Sequence, residues 1–204
     1  MRRNGAKRFF LVALAICFAL LLFLFARRSV DGEVAFEREY PRNNMTLSLS
    51  RDKDGVIRID GEGKLYAKDL KAMLKAAGIH SSEVRDVIVG DDISEIGYKA
   101  FYHMKYMQTL KLGASVVRIA PGALNYCASL EWLYLPSGAE EIGAGFLHAC
   151  DRCRVVTDAR SEALPQLDNV DSERIADGVD SFDALRSAMD ADAALPDVLA
   201  HWWP

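Results

Sequence analysis

Two apolar patterns divide this chain: one long uncharged run near the N-terminus, and a shorter motif that repeats in the middle. The run extends over residues 9–26 without a charged side chain. In an α-helix a segment of this length reaches about 27 Å, close to the hydrocarbon thickness of a bilayer. We therefore predict a transmembrane helix at residues 9–26, through which the protein contacts a membrane.

The charges around this run predict its orientation. Four basic residues (Arg2, Arg3, Lys7 and Arg8) precede it, and only Arg27 and Arg28 follow it closely. The positive-inside rule then places the N-terminus in the cytoplasm and the bulk of the chain outside it, as a single-pass membrane protein. A cleaved signal peptide, which would lead to secretion, is the alternative. Such peptides have an apolar core of about 7–15 residues and a small-x-small cleavage site, and neither is found here.

The motif in the middle of the chain recurs every 23 residues in three gapless copies. Each copy begins with an apolar-x-apolar pair, which is typical of a strand with one buried face. A second set of apolar residues follows at the spacing of one face of a short helix. In the first copy this set is Ala100, Phe101, Met104 and Met107. No copy can bury its apolar face alone, so we predict that the copies stack.

These residues resemble the BspA-type leucine-rich repeat of bacterial surface proteins. The shared spacing is apolar-x-apolar-Pro/Gly-x-x-Val-x-x-Ile-Gly-x-x-Ala-Phe-x-x-Cys-x-x-Leu, over about residues 87–157. Met104 replaces the cysteine of the first copy, and Cys153 replaces the leucine of the third. The resemblance implies an α+β repeat solenoid of parallel strands with short helices, a role in adhesion or protein binding, and no reaction.

The segments flanking the repeats complete the predicted organisation. A turn signal at Asp54-Gly55 predicts a hairpin, and a helix ending near Gly78 follows. The predicted segments are a cytoplasmic basic end (1–8), the transmembrane signal anchor (9–26), a tether (27–44), an N-terminal cap of hairpin plus helix (45–80), the leucine-rich repeats (81–158), and an acidic linker with a C-terminal helix (159–204).

The C-terminal His201-Trp202-Trp203 has two interpretations. In the first, these aromatic residues fold back on the open end of the stack and cover its apolar edges. In the second, they are a docking motif for a partner or a lipid interface.

A binding face follows from the predicted strands, because the side chains between the buried ones point outward. Exposed tryptophan and tyrosine at neighbouring positions are typical interface anchors. We therefore predict a protein-binding face centred on Trp132 and Tyr134; in the alternative, Trp132 only covers its neighbours' aliphatic stems. The full set forms two rows, one of Ile88, Lys111, Tyr134 and Thr157, and one of Asp86, Thr109 and Trp132.

Other chemistry has little support in the sequence. A net charge of −4 disfavours a nucleic-acid partner. The histidines lack zinc-binding spacing and no phosphate-binding glycine loop is present, so we predict no catalytic residue, metal site, cofactor or small-molecule substrate.

Cys127 and Cys150 share one repeat position, roughly 5 Å apart, and could form a disulfide in an oxidising compartment. Alternatively they are two buried thiols.

The sequence therefore predicts an extracytoplasmic protein-interaction or adhesion module without catalytic activity. The alternative is a structural or regulatory subunit of a cell-envelope complex that uses the anchor and the tryptophan-rich terminus.

Overall fold

The computed structural model describes the backbone of residues 36–40, 45–157 and 175–176, together with Leu199 and Trp202. All of these residues belong to one compact unit, Val34–Pro204. Side chains are described for residues 47–157, Leu199 and Trp202. Within these ranges, no helix is long and apolar enough to span a membrane. The predicted cytoplasmic end, transmembrane helix and C-terminal helix lie outside the described residues.

A large sheet runs through the described part of the chain. Its strands are β1 (Phe36–Tyr40), β2 (Met45–Arg51), β3 (Ile57–Gly61), β5 (Asp86–Val89), β7 (Thr109–Lys111), β9 (Trp132–Tyr134), β11 (Arg154–Val156) and β12 (Ile175–Ala176), in that spatial order. The first three are antiparallel, and from β3 onward each strand is parallel to its neighbour. Val87, Leu110 and Leu133 are direct partners, so the predicted stack of parallel strands is confirmed.

A smaller parallel sheet, which the apolar pattern did not predict, lies on the other side of the core. Its strands are β4 (Gly63–Leu65), β6 (Ile93–Ile96), β8 (Arg118–Ile119) and β10 (Glu141–Ile142). Each coil of the solenoid thus contributes one strand to each sheet. β8 and β10 have only two residues each, too few to show an alternating pattern in the sequence. The two sheets enclose a core in which Leu110, Ile119 and Leu133 are fully buried.

The connections predicted as short helices in the three copies are consecutive turns, at residues 98–103, 121–126 and 144–149. Lys99 and His103 have positive φ angles of 56° and 65°, which interrupt a right-handed helix. In the first two copies, alternate backbone donors of the turn bond to the next coil, while the others bond within the turn. One example is the Phe101 N–H, which donates to the Ala123 carbonyl over 2.9 Å.

One regular helix, α1 (Ala67–Ala76), precedes the repeats and buries Leu70, Met73 and Leu74. At its start, the backbone N–H of Tyr66 donates to Asp69 Oδ2 over 3.3 Å. Before α1, the hairpin of β2 and β3 turns through Gly55, whose φ of 88° suits glycine.

Two segments depart from the predicted division of the chain. Phe36–Tyr40, placed in the tether, pairs with β2, and Ile175–Ala176, placed in the acidic linker, pairs with β11. Both extend the large sheet at the strands that would otherwise present unpaired backbone groups. Their weak apolar pattern did not predict this pairing.

Candidate binding surfaces

The predicted binding residues lie together on the outer surface of the large sheet, which we call the strand face. Asp86, Thr109 and Trp132 form one row, and Ile88, Lys111 and Tyr134 form the next. Arg154 and Val156 continue these two rows on β11.

Thr157 does not belong to this face. The last step of the array, from Trp132 to Arg154, advances 22 residues rather than 23. Val156 therefore lies opposite Tyr134, and a shift of one residue reverses which side of the sheet a side chain occupies. Thr157 is fully buried, and its assignment to the binding row was wrong.

The predicted exposure of the strand face was also wrong. Trp132 is 2% exposed and Tyr134 is 7% exposed. Ile88 and Thr109 are buried as well, while Asp86 and Lys111 are partly buried. Outward residues of a solenoid strand are buried only when another part of the molecule covers them.

Trp202 is the described residue that covers this face. It is 1% exposed, and its ring lies 5.8 Å from the Tyr134 ring at an interplanar angle of 66°. The Lys111 ammonium donates to the Trp202 carbonyl and lies 5.7 Å from the centre of the Tyr134 ring. Burial lowers the pKa of Lys111. Trp202 thus folds back as the first interpretation proposed, but onto the strand face rather than the open end.

The polar groups on the other row of the strand face are also satisfied within the protein. Thr109 Oγ1 donates to Asp86 Oδ1 over 2.8 Å, and burial raises the pKa of Asp86. The Arg154 guanidinium lies 5.3 Å from the Trp132 ring centre. Trp132 is therefore in contact with an intramolecular cation rather than with solvent.

A second surface, formed by the turns of the three copies, is exposed. We call it the turn surface. Its residues are Tyr98, Lys99, Tyr102, His103, Tyr126 and His148. Sequence reasoning did not identify it, although the signal was present: Tyr102 and His148 share one repeat position, and His103 and Tyr126 share the next.

The rings of the turn surface touch across all three copies. Tyr126 lies 5.6 Å from Tyr102 and 5.5 Å from His148, in edge-to-face arrangements. The Lys99 ammonium is 5.1 Å from the Tyr98 ring and 4.7 Å from the Tyr102 ring. Tyr98 is 60% exposed and Tyr126 is 42% exposed. The result is an exposed aromatic strip with a cation at one end.

The smaller sheet carries charges of alternating sign on neighbouring strands, which we call the charge ladder. Lys64 pairs with Glu95, and Arg118 pairs with Glu141, each over 2.7 Å. A depression of about 440 Å³ beside this ladder is lined by Arg118, Pro121, Glu140 and their neighbours. The Arg118–Glu141 pair is well exposed, so it contributes little to stability.

The described cysteines are reduced and buried. Cys127 Sγ donates to the Phe101 carbonyl and Cys150 Sγ to the Leu124 carbonyl, each over 3.1 Å. Hydrogen bonding with Cys150 and burial raise the pKa of the Cys127 thiol. The Cys127–Cys150 disulfide is therefore not formed in this structure. The two side chains act as small apolar groups that also bond between coils. Within the described ranges, no cluster of three or more histidine, cysteine or acidic side chains could hold a metal ion.

Comparison with known proteins identifies the repeats. Residues 78–161 match the family model of the BspA type leucine rich repeat region, in six copies. This part of the chain is therefore a BspA-type leucine-rich repeat region, a kind of region that generally forms protein-interaction or adhesion modules.

The chain is also similar to a solved structure of a leucine-rich repeat protein from Eubacterium ventriosum, with 13% sequence identity and a TM-score of 0.37. The similarity covers 60% of this chain and 44% of that one, so this chain spans less than half of that protein's length. No curated protein matches the chain.

Proposed function

We propose that this protein is a membrane-anchored, extracytoplasmic protein-interaction or adhesion module without catalytic activity. The BspA-type repeat region supports binding, and the apolar run at residues 9–26 between basic flanks supports the anchor. The observation that carries the proposal is the exposed aromatic strip of the turn surface.

The geometry of this strip suits protein recognition. Aromatic side chains supply much of the energy of protein interfaces, and rings already held in place lose little conformational entropy on binding. Backbone hydrogen bonds between coils hold the strip: the His103 N–H donates to the Asn125 carbonyl, and the Tyr126 N–H donates to the His148 carbonyl, each over 2.9 Å. The strip therefore presents a preorganised set of rings to solvent.

Tyr126→Asn tests this surface. Tyr126 has a φ of 63°, a conformation that asparagine adopts more readily than most residues, so the substitution removes the ring and keeps the turn. We expect the partner recovered by crosslinking in the native membrane to bind this variant at least about 30-fold more weakly, as at interface hot spots. Val117→Ala, at another residue with 45% exposure, is the matched control. Equal binding by Tyr126→Asn and the wild type, with both folded, would end the proposal.

The topology has a separate test. Protease added to intact cells or spheroplasts should remove a C-terminal tag, because residues 29–204 are proposed to lie outside the cytoplasm. A protected tag contradicts this orientation. N-terminal sequencing of the mature protein distinguishes the retained anchor from the cleaved signal peptide.

The alternative of a cell-envelope subunit requires an accessible aromatic C-terminus. Trp202 is almost completely buried, so the described residues do not favour this alternative.

A further inference from the structure

We propose that the strand face is a recognition site for a tryptophan-bearing peptide, and that the protein's own Trp202 occupies this site in cis. The proposal concerns a surface distinct from the turn surface and does not depend on the function assigned to it. A partner that uses the strand face must first displace Trp202.

The first argument is burial. In a parallel strand whose alternate residues fill the core, the remaining side chains meet solvent unless something covers them. Trp132 and Tyr134 are nonetheless buried. Trp202 lies against Tyr134, and both Trp202 and Leu199 are almost completely buried. The strand face thus has aromatic side chains that are covered, and Trp202 is an identified occupant.

The second argument is the chemistry of the contact. The indole of Trp202 packs edge-to-face against Tyr134, and its backbone carbonyl accepts a hydrogen bond from the Lys111 ammonium. The ring contact favours a large aromatic side chain, and the ammonium holds the backbone of the same residue in place. Because both contacts are made to one residue, a separate peptide that carries tryptophan can reproduce them.

The third argument is that the occupant is tethered. Ala176 is held in β12, and 25 residues separate it from Trp202. Covalent attachment to the same chain gives Trp202 an effective concentration at this site on the order of millimolar. A micromolar peptide would therefore be excluded from the wild-type strand face and would bind once Trp202 no longer occupies it.

The test uses the full chain carrying Trp202→Ala and a fluorescent synthetic peptide with the sequence of residues 195–204. Fluorescence anisotropy should show that the peptide binds Trp202→Ala at least tenfold more tightly than it binds the wild type. Trp203→Ala is the matched control, and we expect it to behave like the wild type. A peptide with alanine at the position of Trp202 should not bind, whereas one with alanine at the position of Trp203 should. Lys111→Met added to the Trp202→Ala chain should weaken binding by about tenfold, in line with the loss of one hydrogen bond.

Two results would overturn the proposal: equal peptide affinity of Trp202→Ala and the wild type, or no binding to either. Protection of Cys127 and Cys150 from maleimide shows that the variant is folded, because both thiols are buried. A second measurement does not need the variant. A photoreactive peptide at millimolar concentration should crosslink to the wild-type segment that contains Lys111 and Tyr134, and the absence of these crosslinks contradicts the proposal.

Discussion

Gly113 lies close to the backbone of the preceding coil, and its replacement by alanine tests how tightly the coils must stack. A Cβ at this position would lie 2.1 Å from the Gly90 carbonyl oxygen and 2.8 Å from the Asp91 Cα. Both atoms belong to the backbone of the preceding coil, so no side chain can rotate away. Ordinary contact begins at 3.4 Å, and the coils would have to separate by about 1.3 Å.

The loss of stability can be worked out from the hydrogen bonds that this separation of the coils breaks. The Ala114 N–H donates to Asp91 Oδ1 over 2.9 Å, and the Ser115 N–H donates to the Asp91 carbonyl over 3.2 Å. Losing two such bonds costs about 1–3 kcal/mol, and overpacking adds about 1–3 kcal/mol. We therefore expect Gly113→Ala to lower the free energy of unfolding by about 2–6 kcal/mol, or the melting temperature by roughly 4–24 °C.

Urea denaturation of the purified chain, followed by circular dichroism, measures this difference. The matched control is Gly138→Ala, where the new Cβ would meet its nearest neighbour, the Ala114 carbonyl oxygen, at 3.5 Å. The control should be neutral or more stable by about 0.4–1 kcal/mol, because alanine restricts the unfolded chain. A Gly113→Ala protein within about 0.5 kcal/mol of the wild type would refute the reasoning, since a backbone clash of this size exceeds the usual effect of a surface substitution.

Three further predictions follow from the core, the thiols and the charge ladder. Phe101→Ala should cost about 3–5 kcal/mol in urea denaturation, because the ring is fully buried; Tyr98→Ala, at 60% exposure, should cost little, and similar losses would contradict this difference. Hydrogen bonding with Cys150 and burial raise the pKa of Cys127, so the folded protein keeps this thiol protonated while the unfolded chain ionises above about pH 8.5. Its contribution to stability is complete below that pH and is lost as the pH rises further. Melting temperatures between about pH 7 and 10 should therefore fall less in Cys127→Ala, and parallel curves would exclude this effect. Arg118→Met should leave the melting temperature unchanged at any salt concentration, because the ion pair is exposed, and a salt-dependent drop would show that the ladder stabilises the stack.

Local periodicity predicted the part of the fold that depends on which side chains each coil buries in the core. The apolar pairs at 87/89, 110/112 and 133/135 all lie in the core, and their 23-residue spacing places them side by side. In the first two copies the turns differ from the predicted helices because alternate backbone donors bond to the next coil. The apolar spacing of Ala100, Phe101 and Met104 is compatible with either conformation.

The binding surfaces show the limit of this reasoning. Strand periodicity correctly grouped Asp86, Ile88, Thr109, Lys111, Trp132 and Tyr134 on one face, because side-chain direction in a strand is a local property. Exposure is not local. The contact between Lys111 and Trp202 joins residues 91 positions apart, and nothing in either segment specifies the other.

By itself, the sequence determined the repeat, the residues that fill its core and the family of its repeat region. Only the tertiary structure decided that the last step of the array is one residue shorter, that a second sheet closes the coils, and that Trp202 covers the strand face. The physical reason is that burial within a repeat depends on neighbours a few residues away. The covering of a surface depends on segments that meet only when the whole chain has folded.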